Sequence, residues 1–176
     1  IMAGSLEFIK SASGTSVSSL SVTDCFSADY DVYYLSISKL DTTGNSYIYM
    51  RLLDSGGSVI SASEYATAWL DLKSYEAFTE LKSTSFDKMG IGGSSGSLTT
   101  DLGGYSVYIY NPYDSSSYTF MNGQTSGYTV APTNALSGAK SIGVHKSAEQ
   151  ISGINLLLNT GTIDNITANI YGLASN

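Results

Sequence analysis

The chain has 176 residues, of which 42% are hydrophobic and 13% are charged. With a mean hydropathy of +0.03, this composition predicts one soluble globular domain over residues 1–176, and no apolar run is long enough to cross a membrane as a helix. A formal net charge of -7 with a single arginine argues against nucleic acid as a partner, because too few cations are present to neutralise phosphates.

Alternating apolar and polar residues in the first third of the chain predict antiparallel strands. Two short segments, Leu6–Lys10 and Val17–Val22, come first. The clearest pattern follows in Val32–Leu40 and is repeated in Tyr47–Leu53. Because residues 41–46 have a turn-forming composition, we expect the last two segments to pair as a hairpin.

The middle of the chain is less regular. Gly57–Ser63 has the composition of a further strand, whereas Glu64–Lys82 is rich in Ala, Leu, Glu and Lys and is the best candidate for a helix. Gly90–Gly104 contains six glycines and is predicted to be a long loop. The apolar face of the helix would contain Tyr65, Trp69 and Leu72.

The remaining segments again show two-residue alternation. They are Tyr105–Tyr110, Tyr118–Met121, Lys140–Lys146, Ile154–Leu158 and Ile166–Leu173. Nine or ten short strands without alternating helices predict an all-β fold, and an antiparallel jelly-roll-like β-sandwich fits this pattern best.

One segment matches a catalytic motif. Gly92–Gly96 has the form G-x-S-x-G around Ser94, and Asp101, Asp114 and His145 follow in the order used by α/β-hydrolases. That motif requires a turn between a strand and a helix, and no helix is predicted after it. A serine hydrolase is therefore a remote alternative, and we expect no enzymatic activity.

His145 is the single histidine of the chain. Alternation along its strand places it on one face with Ser141 and Gly143, opposite Ile142 and Val144. Because the latter two are apolar, we expect them to face the core and His145 to lie at the surface.

Three carboxylates fall within one loop before the third predicted strand. Asp24, Asp29 and Asp31 could supply the oxygen ligands that Ca²⁺ prefers, with Asp29 and Asp31 as the main candidates. The loop lacks an EF-hand pattern, and acidic side chains on a solvated turn explain the same residues. We expect no other metal and no cofactor.

Tyrosine is unusually frequent, with 14 Tyr against 5 Phe and 1 Trp. Tyrosine offers a large contact area and a hydroxyl group at low entropic cost, which suits contact surfaces as well as ordinary packing within a sheet. Alternation turns four tyrosines away from the predicted core, where they could contact a partner subunit or a glycan: Tyr34, Tyr49, Tyr108 and Tyr110.

Seven short segments, distributed over nearly the whole chain, form an ordered series. They are LEFIKSA (6–12), VSSLS (17–21), DVYYL (31–35), YMRL (49–52), GVHKS (143–147), INLLL (154–158) and NIYGL (169–173). In this order and spacing they resemble small β-rich virion proteins of tailed bacteriophages, especially those of marine cyanophages.

The resemblance implies a non-enzymatic structural protein of the virion, assembled in the host cytoplasm, and it transfers no catalytic residue. A capsid decoration or protrusion protein, or a small tail-appendage subunit, suits the length, because the chain lacks the heptad and collagen-like repeats of long fibres. The implied partners are further copies of the chain, with a trimer favoured, and other virion proteins. A glycan-binding module at the tip of a tail fibre is the alternative.

Overall fold

The computed structural model describes residues 5–44, 46–95, 103–129 and 135–174, and these ranges contain twelve β-strands. The described part of the chain has no helix of the length and apolar character needed to cross a membrane. The strands are β1 (Leu6–Val17), β2 (Ser19–Val22), β3 (Val32–Thr42), β4 (Ser46–Asp54), β5 (Tyr65–Lys73), β6 (Thr79–Phe86), β7 (Met89–Ser95), β8 (Gly103–Tyr110), β9 (Thr119–Thr129), β10 (Ala135–His145), β11 (Ile151–Leu158) and β12 (Ile163–Leu173).

The strands form two antiparallel sheets. The large sheet has the order β1-β12-β3-β8-β9-β10-β5-β6, and the small sheet has the order β2-β11-β4-β7. The chain passes repeatedly from one sheet to the other, as it does in jelly rolls. The predicted all-β antiparallel sandwich is therefore confirmed, although it has more strands than the nine or ten expected.

An aliphatic core lies between the two sheets. In the strands that line this core, every second side chain points into it, because successive residues of a strand point to opposite faces. Fully burying one such side chain contributes about 1.5–3 kcal/mol. Representative core residues are Leu35, Ile37, Val107, Ile109 and Ile170 from the large sheet and Ile48, Met50, Leu52, Ile154 and Leu156 from the small sheet.

The predicted hairpin between the third and fourth strands is wrong, because β3 and β4 belong to different sheets. The register of β3 against β8 shifts between Ile37 and Leu40, and Lys39 has a positive φ of 56° there, which bends the strand. Beyond the bend, Ser46 Oγ donates a hydrogen bond to Asn159 Oδ1 at 2.7 Å, which holds the start of β4 against the end of β11. The turn-forming link thus carries the chain across the sandwich.

The predicted helix over 64–82 is also wrong, because this segment forms β5 and the first half of β6. Tyr65, Thr67 and Trp69 are buried on one side of β5, while Leu70 is exposed on the other, which is the two-residue period of a strand. β5 pairs with β10 on one edge and β6 on the other. This pairing outweighs the helix propensity of the Ala and Leu residues.

The segment Gly57–Ser63 follows a turn and is irregular apart from a single isolated bridge at Val59, so the strand expected there does not form. Asp54 Oδ1 accepts hydrogen bonds from the N–H groups of Gly56 and Ser58 at 2.8 and 2.9 Å. An aspartate side chain that accepts hydrogen bonds from backbone N–H groups a few residues ahead stabilises a turn and not strand pairing.

The predicted loop over 90–104 contains most of β7 and the first residues of β8, while residues 96–102 lie outside the described ranges. The glycines of β7 serve close packing. A Cβ added at Gly90 would lie 2.1 Å from Trp69 Cζ3, and Gly92 has a φ of +87°. Only glycine fits these two positions without displacing a neighbour.

Candidate functional site

The two faces of the large sheet have different environments. In β3, Tyr33 and Leu35 are buried against the small sheet, whereas Tyr34 and Ser36 point away from it and are half-buried. None of the described strands packs over that second side. We call it the open face, and its centre consists of Tyr34, Ser36, Ser106, Tyr108, Asn122, Gln124, Lys140 and Ile142.

A row of aromatic rings crosses one end of the open face. Tyr34 pairs with Tyr171 of β12 on one side and with Tyr108 of β8 on the other. The Tyr34 ring lies 6.1 Å from the ring of Tyr171 and 5.2 Å from that of Tyr108, and Phe8 continues the row 5.7 Å from Tyr171. Four neighbouring strands thus present contiguous aromatic surface.

A polar groove of about 930 Å³ adjoins this row. Tyr34 donates a hydrogen bond to Ser106 Oγ at 3.2 Å, so its hydroxyl is directed along the groove. Asn122, Gln124 and Lys140 add amide and ammonium groups. Rings beside hydroxyl and amide groups can bind a ligand that has both an apolar face and polar edges.

A second groove, of about 940 Å³, lies beside the first and is mostly apolar. It is lined by Ala66 and Ala68 of β5, Phe120 of β9 and Val144 of β10. Ile142 lies between the two grooves and is 63% exposed, although it has no polar atom in its side chain. Contiguous apolar surface of this kind marks interaction sites in folded proteins.

The prediction for Tyr49 is wrong, since this side chain is only 5% exposed. The rings of Trp69 and Phe86 cover it edge-on at 5.7 and 6.0 Å. Burial, with a smaller effect of the Asp71 carboxylate, raises the pKa of Tyr49. The other three predicted contact tyrosines lie on the open face: Tyr34, Tyr108 and Tyr110.

The orientation predicted for β10 is reversed. Ile142 points to the open face, and Ser141 and His145 point inward and are buried. The reason is the close approach of β7, because a Cβ added at Gly143 would lie 2.9 Å from Met89. The inner side of β10 therefore carries small residues up to Gly143, and the apolar residues of the strand do not mark its inner face.

Buried His145 contacts two acidic side chains. Its Nε2 lies 3.2 Å from Glu64 Oε2 and 3.7 Å from Glu149 Oε1, and its ring packs 4.9 Å from that of Tyr65. Within the described ranges, Glu64, His145 and Glu149 are the one group of three or more side chains of metal-binding type that comes together.

The calcium candidates do not assemble in this way. Asp29 Oδ2 accepts a hydrogen bond from Ser27 Oγ at 2.9 Å on an exposed turn. Although all three are among the described residues, the carboxylates of Asp24, Asp29 and Asp31 do not form a group. The arrangement favours acidic side chains on a solvated turn.

The hydrolase motif lacks the context that its chemistry requires. Ser94 lies inside β7 and pairs with Tyr47 of β4, so it is not on a turn between a strand and a helix. Asp101 falls outside the described residues. His145 contacts the two glutamates described above.

Comparison with known proteins identifies no family. No family model matches the chain, and no curated protein matches it. Among solved structures, a variant fructofuranosidase from Schwanniomyces occidentalis complexed with fructosylnystose aligns with 99% of this chain at 9% identity and a TM-score of 0.21. This chain spans 35% of that enzyme's chain, and the score is too low to indicate a shared fold.

Proposed function

We propose that this protein is a non-enzymatic structural protein of a tailed-bacteriophage particle, either a capsid decoration protein or a small tail-appendage subunit, that self-associates through the open face. The resemblance of the sequence to phage virion proteins supports the assignment of this protein to a phage particle. The observation that carries self-association is the contiguous exposed apolar surface around Ile142 and Phe120, which are 63% and 46% exposed.

The dimensions of the open face suit a protein partner. Eight strands at a spacing of about 4.8 Å span about 34 Å, and four rows of outward side chains span about 20 Å along the strands. The product, about 700 Å², is close to the roughly 800 Å² that each partner contributes to a stable interface.

The distribution of charge favours a second copy of the chain as that partner. The protein has a net charge of -7, so two copies repel each other over most of their surfaces. At the centre of the open face, Lys140 is the one charged side chain among eight residues, and the remainder are Tyr, Ser, Asn, Gln and Ile. Contact through this face therefore avoids the acidic surface.

Sedimentation equilibrium of the purified protein tests this proposal. We expect an oligomer, with the trimer favoured by the resemblance, and we expect Ile142→Asp to convert it to a monomer because a carboxylate would be buried without a partner. Phe78→Asp is a matched control, since Phe78 is 60% exposed in the β5–β6 turn. A wild-type monomer at all concentrations, or equal effects of both substitutions, would contradict self-association through the open face.

Immunogold labelling of purified phage particles tests the location. Labels distributed over the head indicate capsid decoration, and labels at the tail indicate an appendage subunit. Particles without any label would contradict the virion assignment.

The polar groove favours a second candidate function, glycan binding. Tyr108 is exposed beside Asn122, Gln124 and Lys140, an arrangement that could stack on a sugar ring and bind its hydroxyl groups. A glycan array followed by calorimetry on the best ligand tests this, with Tyr108→Ala expected to abolish binding. Tyr113→Ala, in the turn after β8, is the control. An array without a reproducible ligand would exclude this candidate.

A further inference from the structure

We propose that Glu64, His145 and Glu149 bind a divalent transition-metal ion, with zinc as the preferred metal. This site is separate from the open face and does not depend on the proposed function. His145 is the last residue of β10, Glu64 immediately precedes β5, and Glu149 lies in the connection between β10 and β11. Three segments of the chain thus converge on one point.

The distances are compatible with a metal ion between the three side chains. Zinc bound to nitrogen at about 2.0–2.1 Å and to oxygen at about 2.0–2.2 Å in tetrahedral geometry separates its ligand atoms by about 3.4 Å. His145 Nε2 lies 3.2 Å from Glu64 Oε2 and 3.7 Å from Glu149 Oε1, and all three ligand atoms lie within 4.8 Å of one another. Small rotations of the two glutamates would complete the geometry.

The charges also favour a cation. Glu64 and Glu149 bring two carboxylates to one imidazole, and an imidazole that binds a metal ion does so as the neutral ring. The nearest lysine in sequence, Lys146, directs its Nζ to the carbonyl oxygen of Thr84 at 2.5 Å. A divalent cation would balance the charges of the two carboxylates.

The site combines an anchored ligand with an open side. The His145 side chain is fully buried, and the Lys146 N–H donates to the Glu64 carbonyl oxygen at 2.9 Å, which fixes the backbone on both sides. The Glu64 and Glu149 side chains are 45% and 35% exposed, so an ion and a water ligand can reach them. One imidazole and two carboxylates are donors that suit zinc better than Ca²⁺, which takes oxygen ligands.

Bound zinc would link two strands of the large sheet to the connection that leads to the small sheet. It would join β5 and β10 of the large sheet to the segment 146–150, which leads into β11 of the small sheet. Because the metal binds the folded chain only, it would raise the melting temperature.

Equilibrium dialysis of chelator-treated protein against zinc chloride tests the proposal. We expect one zinc ion per chain and at least a 100-fold loss of affinity in the double variant Glu64→Gln/Glu149→Gln. The double variant Glu76→Gln/Glu80→Gln is the matched control, since both of these exposed glutamates pair with lysines elsewhere. The glutamate variants avoid changing the buried imidazole, whose loss could prevent folding.

Thermal melting with and without zinc is the second measurement. Zinc should raise the melting temperature of the wild type and of the control variant, and it should leave that of Glu64→Gln/Glu149→Gln unchanged. Less than one zinc per chain at saturation, or equal affinity in both double variants, would overturn the proposal.

Discussion

The two faces of the large sheet are built from the same strands but have opposite compositions. Toward the small sheet, β3 presents Leu35 and Ile37, both almost fully buried in an aliphatic core. Toward the open face, it presents Tyr34 and Ser36, which are half-buried. The covered face therefore contributes most to stability, whereas side chains of the open face stay accessible, and substitutions on the two faces should differ accordingly.

The largest effect is expected from Trp69→Ala on the covered side of β5. Trp69 is buried against Tyr47, Tyr49 and Gly90, and truncation of such a ring leaves a cavity that costs about 3–5 kcal/mol of unfolding free energy. Urea denaturation followed by far-UV circular dichroism measures the loss. An unchanged unfolding midpoint would refute the assignment of Trp69 to the core.

A smaller effect is expected from Gly90→Ala, which places a methyl group against the Trp69 ring. The overlap should cost about 1–3 kcal/mol, since the neighbouring side chain and strand must shift. Gly104→Ala is the matched control on the open face, where an added Cβ meets nothing closer than Ser126 Oγ at 3.9 Å. Equal melting temperatures for the two variants would show that β7 does not pack closely on Trp69.

On the open face, Tyr108→Ala should leave stability almost unchanged, with a cost of about 1 kcal/mol or less from the lost ring pair with Tyr34. It should nevertheless weaken self-association, which dilution in sedimentation experiments would measure. A loss of stability comparable to that of Trp69→Ala would mean that the two faces do not have separate roles.

The smallest effect concerns an ion-pair cluster where the chain passes from β6 to β7. Burial acts to raise the pKa of Asp87, but hydrogen bonds from Lys88 and Arg51 outweigh it, and the pKa is lowered below its ordinary value of 3.8. The carboxylate therefore stabilises the fold above that value, and this contribution is lost as pH falls through the lowered pKa.

Melting curves of the wild type and Asp87→Asn between pH 7 and pH 2 test this dependence. The wild type should melt at a higher temperature near neutral pH, and the difference should shrink only below the ordinary pKa of 3.8. A difference that is constant to the lowest pH would contradict a role for the ionised carboxylate.

The sequence predicted the fold class because two-residue alternation is strong wherever one side of a strand meets an aliphatic core. Val32–Leu40 and Ile166–Leu173 are examples, and both lie within strands of the large sheet. The hairpin prediction failed because the same turn composition suits a connection within a sheet and a passage between sheets. The choice depended on the bend at Lys39 and on Asn159, far away in sequence.

The candidate site was predicted only in part. Tyr34, Tyr108 and Tyr110 were identified by alternation, but Ile142 was assigned to the wrong side because an apolar residue ordinarily faces a core. The close approach of β7, which leaves room only for the small inward residues Ser137, Ala139, Ser141 and Gly143 of β10, is a tertiary effect without a local sequence signal. His145 was misplaced because the facing of the whole strand was inferred from Ile142 and Val144, which share the opposite side.

Hydroxyl-radical footprinting at increasing protein concentration tests self-association through the open face, because it reports the solvent exposure of individual side chains. If the open face is the surface of self-association, oxidation of Tyr108 and Phe120 should fall as concentration rises, while oxidation of the exposed Phe78 and Tyr113 should stay constant. Equal oxidation of Tyr108 and Phe120 at all concentrations, in a sample that sediments as an oligomer, would show that the copies associate through a different surface.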